Sequence, residues 1–268
     1  MAFVEEFEEF LTVGGVSFVR DGLSFLFPDH SLEIVLVPIP VPEGGLRQDR
    51  RMQHTIHLFE DRWRSDGENL RKRVMAHLGR FRSIFARNCS VRRIDAIQAR
   101  PFLEAYHSYG HAKCAYYYGL YHKDGELVAV SAFSEPRRMV RDIGGQGMAM
   151  DSYEWVRYAS LPDCRISGGM GKMLKAFEEE VHPLDIMSYA DLEWSDGEVY
   201  RRLGFEEAGF REPVRFYVDT ETWQRISVRK FGHDRAYRNL DPDAAAAGSR
   251  YVLISNLGSV KYIRTEVS

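Results

Sequence analysis

Cysteine is scarce in this chain: three in 268 residues, Cys89, Cys114 and Cys164, an odd number with no CxxC pair. That argues against a disulfide framework and a zinc knuckle, and it suits a reducing compartment. Long apolar runs are missing too. The opening "MAFVEEFEEFL" is acidic where a signal peptide begins basic, so neither a membrane span nor export is expected and the expected location is the cytoplasm. Positive charge is not in excess: 36 Lys and Arg stand against 39 Asp and Glu, a net charge of −3. A surface basic all round for non-specific nucleic-acid binding is thereby disfavoured, although a local basic groove is not. No internal repeat is visible.

Hydrophobic residues make up 44% and aromatics 13% of the chain, enough for the core of one large domain or two small ones. Phe3, Phe7 and Leu11 fall at helical spacing. "VSFVRDGLSFLFP" reads as a hairpin turning at Asp21-Gly22, "SLEIVLVPIPVP" as a strand ended by its prolines, "EGGLRQDRR" as a polar loop and "HTIHLFE" as another strand. Leu70, Val74, Leu78 and Phe81 predict an amphipathic helix over 66–82.

From residue 88 strands and helices alternate, which predicts a mixed α/β domain. "SVRRID" reads as a strand, "AIQARPFLEAYH" as a helix, and "CAYYYGLYHKDGELVAVSAFSEP" as a hairpin around Asp124-Gly125. The glycine-rich "RDIGGQGMAMD" is expected to be a flexible loop. "YEWVRYASL" is a strand, a helix is expected over 172–182, "LDIMSYAD" is a strand, "GEVYRRLGF" a short helix and "VRFYVD" a strand. After Trp223 a basic tail passes through "DPDAAAAGS" to a terminal hairpin turning at residues 256–259.

The stretch "RISGGMGKMLKAFEEE" carries the main functional signal. A helix start offers unpaired N–H groups and a favourable dipole to an anion, and glycine lets a phosphate approach the backbone. Gly168, Gly169, Met170 and Gly171, with Arg165 and Lys172 adding charge, suit such a site. Both the GxxxxGK[ST] and the GxGxxG spacings are absent. By itself the stretch is equally a plain glycine-rich helix entry.

Downstream, "VYRRLGF" follows a second strand. Strand, glycine-rich helix start, strand and Y-x-x-L-G-F helix together resemble the GNAT superfamily of N-acetyltransferases, over roughly residues 88–219. The resemblance implies a mixed central sheet flanked by helices and acetyl-CoA (or another acyl-CoA) as donor. It also implies that the loop from Arg165 through Gly168, Gly169, Met170 and Gly171 to Lys172 holds the pyrophosphate. The family's Gln or Arg three residues before the first glycine falls here on Ile166, with Arg165 one position off. Tyr200 takes the position that protonates the leaving thiol, unless its ring only packs under the sheet. Glu154 or Asp191 is the candidate base, although either carboxylate also suits a cap or an ion pair.

"MSYADLEWSDGEVYRRLGF" is similar to a GNAT-like module of phage and mobile-element proteins, including Mom-like DNA-modification enzymes. That likeness implies an alternative site of Arg157, Asp191 and Tyr200 acting on a DNA nucleobase. In such proteins a restriction-endonuclease-like segment precedes the module, and "LSFLFPDHSLEIVLVP" with "IHLFEDRW" resembles it. Its metal-binding Asp and Glu fall on Ser24 and Val35, with Asp29 and Glu33 read as out of phase, so no nuclease activity is expected. His54 and His57, read as sharing a strand face, lack a third ligand, so no metal site is assigned.

The expected division is a degenerate nuclease-like region over 1–84, an acyltransferase domain over 85–222 and a basic tail over 223–268. The expected function is transfer of an acyl group from acyl-CoA to an amine. The alternatives are DNA nucleobase modification and a non-catalytic module that binds nucleic acid or protein. Basic clusters at 47–51, 71–73, 137–141 and 225–238 either line a groove for phosphates or form solvated faces.

Overall fold

The computed structural model of the protein describes residues 2–42, 52–233 and 250–265. In chain order the first elements are α1 (Phe3–Val13), β1 (Val19–Asp21), β2 (Ser24–Phe27), β3 (Leu32–Val37), β4 (His54–Phe59), α2 (Glu60–Ser65) and α3 (Gly67–His77). There follow β5 (Arg82–Phe85), β6 (Cys89–Ile94), α4 (Ala96–Tyr106), β7 (Tyr116–His122), β8 (Leu127–Phe133), β9 (Arg137–Ile143) and β10 (Gln146–Ser160). Next come β11 (Cys164–Ser167), α5 (Gly169–Val181), β12 (Asp185–Asp191), α6 (Glu198–Arg202) and β13 (Glu206–Arg211). The last are β14 (Arg215–Asp219), β15 (Arg225–Ser227), α7 (Val228–His233), β16 (Tyr251–Ser255) and β17 (Ser259–Thr265).

These elements form two compact units interleaved along the chain. The first joins Met1–Gly79, Asp191–Asp196 and Phe210–Ser259; the second joins Arg80–Ala190, Gly197–Gly209 and Val260–Ser268. The segment Phe210–Ser259 thus belongs to the same unit as Met1–Gly79. The polar loop 43–51 with its arginines, and the "DPDAAAAGS" stretch, lie outside the described residues.

In the first unit the sheet order is β1-β2-β3-β4, with β3 and β4 parallel. All six residues of β3 are buried, as expected of an apolar strand covered on both faces. Leu32, Ile34 and Leu36 pack with Phe7, Phe25 and Trp63. Val37 and Phe59 pack with Val218 and Ile254 of the three-stranded sheet β15-β14-β16. Side chains alternate along a strand, which corrects two expectations. Glu33 stands two residues from Val35, so it shares that residue's face and is fully buried there. His54 and His57 stand three apart in β4, so they point to opposite faces. Ser24 and Val35 are direct cross-strand partners. Among the described residues no group of three or more His, Cys, Asp or Glu is placed to hold a metal.

The helix expected over 66–82 stops at His77, and Arg82–Phe85 instead form β5. Gly79, at φ 80°, supplies the left-handed turn that releases the chain.

The second unit is a mixed α/β arrangement. Its large sheet runs β13-β17-β12-β10-β8-β7-β6, with β9 also paired to β10. One face carries α5, whose Met173, Leu174 and Phe177 are buried against Phe133 and Trp155. The other carries α4, where Ala99, Phe102 and Leu103 pack on Val130, Ala132 and Ala159. Helix α4 starts in a capping box: Asp95 accepts from Gln98 N–H, and the Gln98 side chain accepts from Asp95 N–H.

Three further expectations are corrected here. "RDIGGQGMAMD" is a β-hairpin of β9 and β10, with Gly144 and Gly145 at φ 62° and 83° making its turn. The terminal hairpin does not form: β16 pairs with β14, whereas β17 lies between β13 and β12 in the other sheet. At the bend, Asn256 Oδ1 accepts Val214 N–H at 2.6 Å, and Gly258 lies against the Arg211 carbonyl where any Cβ would collide. Finally, β11 pairs in parallel with β5, so Arg165 and Ile166 belong to a strand and not to a loop. No described helix is long and apolar enough to cross a membrane.

Candidate functional site

The parallel pair β10 and β12 begins in register, Ser152 with Asp185, Tyr153 with Ile186 and Glu154 with Met187, and the pairing ends there. Beyond Glu154, β10 continues along β8 as far as Ser160, while β12 has β17 on its other side. The two strands thus form a fork in the second unit. Its closed end is fixed by Asp185, whose carboxylate takes two bonds from Arg141, at 2.9 and 2.8 Å, and one from Thr265 at 2.7 Å. Burial alone would raise this carboxyl, but the bonds from Arg141, Ser152 and Thr265 outweigh it and hold the pKa below the ordinary range.

At the fork's mouth β10 carries a bulge. Its register with β8 shifts between Trp155 and Arg157, and one extra residue re-aims every side chain after it. Tyr153 and Trp155, before the bulge, and Tyr158, after it, all pack in the α5-side core. Arg157 and Ala159 are thereby turned to the α4 side, where Ala159 is buried. The Arg157 guanidinium donates to the Gly110 carbonyl at 2.9 Å. Burial lowers its pKa, and Cys114, Glu154 and Tyr109 are the charged or polar neighbours that oppose this. Burial likewise pushes the Cys114 thiol up to about 11, so it stays a neutral thiol near pH 7.

Tyr200 lies on the other side of the sheet. Its phenol is 2.9 Å from Ser188 Oγ, and Ser188 also bonds the Trp155 carbonyl at 2.9 Å. The hydroxyl of Ser188 therefore bridges the fork just where the backbone ladder stops. The Tyr200 ring stacks on Tyr262 at 5.2 Å and 16° and meets Trp155 edge-on at 6.2 Å and 85°. Burial raises the phenol's pKa, with the Ser188 bond working against it. Tyr262 fits because Gly197, at φ 80°, has no side chain: a Cβ there would lie 2.3 Å from the Tyr262 ring.

The glycine stretch supports helix packing as much as anion binding. Helix α5 begins at Gly169, and its first internal bond runs from Lys172 N–H to Gly168 O. The amides of Gly169, Met170 and Gly171 precede that bond and form the anion-attracting end. Gly168 takes φ 77°. A Cβ on Gly169 would meet Ile166 at 2.7 Å, and one on Gly171 would meet Leu203 at 3.2 Å. The Lys172 ammonium is bonded to the carbonyls of Ala86 and Cys89, at 2.9 and 2.5 Å, so it reaches a phosphate only by leaving them. The Arg165 guanidinium lies 4.9 Å from the Phe81 ring centre.

Not all the expected site residues come together. Tyr200 stands at the fork on the α5 side, Glu154 and Arg157 project to the α4 side, and Asp191 belongs to the first unit. There Asp191 Oδ1 accepts Glu193 N–H at 3.0 Å and holds a turn, with Arg73 as an electrostatic neighbour. The basic clusters are largely engaged where they are described. Arg71 bonds Glu6, Lys72 bonds Glu68, Arg138 bonds Asp151, and Arg225 is buried between Asp61 and Glu193. Ser188, Trp155, Tyr158 and Tyr262 were not expected at the site. Ser188 stands in the quoted "MSYAD", but nothing in the sequence marks the bulge that brings Tyr158 to the face of Trp155.

No protein-family model matches the chain, and no curated protein matches it. Among solved structures it aligns with histone acetyltransferase HPA2 and related acetyltransferase of Corynebacterium glutamicum, at 13% identity and TM-score 0.32. That alignment covers 57% of this chain and 65% of the other, so the chain spans less than two thirds of that protein. The spermidine/spermine N-acetyltransferase SpeG of Vibrio cholerae aligns at 8% identity and TM-score 0.39, over 67% of this chain and 94% of the other. A GNAT-family acetyltransferase of Bacillus anthracis aligns at 11% identity and TM-score 0.35, over 66% and 95%. Likeness this slight carries no functional conclusion, and the site itself has to supply one.

Proposed function

We propose that the second unit is an acyltransferase of the GNAT type that moves an acyl group from acyl-CoA to an amine. The observation that carries this is the fork of β10 and β12, with the bonded Ser188 and Tyr200 hydroxyls at its mouth. The residues present fit such a donor in two respects. The first three amides of helix α5 precede its first internal bond, beside side-chain-free Gly168, and Trp155 keeps a buried N–H without a partner among the described residues. When bound, acyl-CoA supplies an acyl carbon activated as a thioester, whose C–S bond breaks as the C–N bond forms.

The chain's own residues then have separate tasks on the two sides of the sheet. Glu154, on the α4 side, takes the proton that the amine loses. Arg157 is its electrostatic neighbour on that face. Tyr200, on the α5 side, is held protonated by its raised pKa and donates its hydrogen bond to the departing sulfur. Burial disfavours the anion of the phenol and of a thiolate beside it alike, so the phenol stays a neutral donor facing the departing sulfur. The α5 amides and Arg165 hold the pyrophosphate. Lys172 contributes its charge to the same helix end from its place on the Ala86 and Cys89 carbonyls.

A joint nucleobase-modifying site of Arg157, Asp191 and Tyr200 is not favoured, since Asp191 belongs to the first unit, where its carboxylate accepts Glu193 N–H. The first unit is read as without nuclease chemistry: Ser24 and Val35 occupy the expected ligand positions. Release of free CoA thiol from acetyl-CoA, measured against a panel of amines, tests the proposal. Amine-dependent release that is lost in Tyr200→Phe supports it, and no release with any amine counts against it.

A further inference from the structure

Trp155 is 3% exposed, and its indole N–H has no acceptor among the described residues. A buried donor without a partner is uncommon in folded proteins and calls for an explanation. The indole's surroundings narrow the choice. Phe133, its partner on β8, stacks along one ring face at 5.3 Å and 19°, and β8 lies on the side of β10 away from the fork. The rings of Tyr158 and Tyr200 meet it nearly at right angles, at 6.1 and 6.2 Å. Its own carbonyl takes the hydroxyl of Ser188, which in turn bonds the Tyr200 phenol. The orphan N–H therefore belongs to the same aromatic wall as Tyr200, at the first residue of β10 beyond its pairing with β12.

We propose that the indole N–H of Trp155 donates a hydrogen bond to the carbonyl oxygen of the acyl thioester, making Trp155 a catalytic residue alongside Tyr200. The proposal rests on the acyltransferase reading. The two donors have different targets: Tyr200 serves the sulfur and Trp155 the oxygen. As the amine nitrogen bonds to the acyl carbon, negative charge gathers on that oxygen, and a fixed donor in a dry site stabilises it more than the starting thioester. The bond weakens again once the C–S electron pair has left on sulfur. Trp155 transfers no proton, so the proton balance remains between amine, Glu154, Tyr200 and thiolate.

The test uses the full chain with two replacements at 155. Trp155→Phe removes the N–H together with part of the ring, and β-(3-benzothienyl)alanine keeps the ring shape but carries sulfur in place of N–H. Thermal unfolding without ligand reports folding, and calorimetric titration with acetyl-CoA and with CoA reports binding. For the benzothienyl variant the expected result is an unliganded melting temperature at or above wild type, because an unpaired buried donor has gone, whereas Trp155→Phe melts lower through the ring volume it removes. Acetyl-CoA should bind about 3- to 10-fold more weakly, with CoA changed by less than about 2-fold, as loss of one hydrogen bond to the acyl oxygen requires. In turnover, kcat should fall by more than KM changes. If the benzothienyl variant binds acetyl-CoA and turns over like wild type, the proposal is overturned, and the N–H points instead to a tyrosine ring. If wild type itself fails to bind acetyl-CoA, the acyltransferase reading falls and the proposal with it; equal binding by wild type and variant overturns the proposal alone.

Discussion

The hydroxyl groups of Ser188 and Tyr200 lie 2.9 Å apart, beside the point where β10 and β12 part. Ser188 also reaches the Trp155 carbonyl, so one small side chain fixes the phenol and links the two strands. Tyr200→Phe should therefore separate chemistry from binding. Turnover should drop by about 100-fold or more, as for loss of a positioned proton donor, while acetyl-CoA affinity changes by less than about 3-fold. Ser188→Ala should cost about 1 kcal/mol in urea unfolding and lower kcat less than Tyr200→Phe does. Equal loss of kcat and affinity in Tyr200→Phe would mean that the ring, not the hydroxyl, matters.

Two glycines packed at this site and one in a hairpin turn are expected to differ in tolerance. Gly197→Ala places a Cβ against the Tyr262 ring at positive φ, and the cost should be about 3 kcal/mol or more. Gly169→Ala meets Ile166 close to its branch point and should cost about 1–3 kcal/mol. Gly125→Ala, with open space around it, should lose only the strain of its positive φ, about 1–2 kcal/mol. Urea unfolding of the three variants gives the order directly, and equal losses would refute the packing role assigned to Gly169 and Gly197.

The closed end of the fork predicts an acid dependence. Asp185 is fully buried and Arg141 nearly so, and the folded-state pKa of Asp185 lies below its ordinary value near 3.9. A depressed carboxyl contributes stability that is fully present above the unfolded pKa and is lost as pH falls through the folded one. Asp185→Asn should cost about 3–5 kcal/mol at pH 7, because Arg141 is left buried without its counter-charge. The penalty should shrink as pH drops below about 4. A penalty that stays constant from pH 7 to pH 3, followed by denaturant unfolding, would show that the ionised carboxylate is not what matters.

Much of this architecture could be read before the structure. The apolar stripe Phe3, Phe7, Leu11, the hairpin turns at Asp21-Gly22 and Asp124-Gly125, the strands "YEWVRYASL" and "LDIMSYAD" and the helices after each all declared themselves by period and turn chemistry. What failed depended on distant pairing. Gly144 and Gly145 looked like a loose loop because glycine marks flexibility and tight turns alike, and only β9 pairing with β10 decides between them. The "RYVLISNLGSVKYIR" segment has the local pattern of a hairpin, yet its halves find partners in different sheets. At the site, Tyr200 and Glu154 were visible as residue types. Glu154 takes the α4 face by simple alternation, whereas the turn of Arg157 away from Tyr200 follows from a one-residue bulge that period-2 reading cannot detect.

Lys172 gives a further contrast. Its ammonium bonds two backbone carbonyls, so Lys172→Met should lower stability by about 1.5–3 kcal/mol, the range for charge-assisted hydrogen bonds. Acetyl-CoA affinity should fall by less than about 3-fold, since only a long-range charge is removed. A large loss of affinity with unchanged stability would return Lys172 to direct phosphate binding.

Binding of the acyl donor itself is the most direct measurement. Thermal unfolding of the full chain with increasing acetyl-CoA should show a melting temperature that rises with the logarithm of ligand concentration, because a ligand that binds only the folded state stabilises it by mass action. Tyr200→Phe should keep that rise. No rise at millimolar acetyl-CoA, with calorimetry equally silent, would contradict an acyl-CoA site at the fork of β10 and β12.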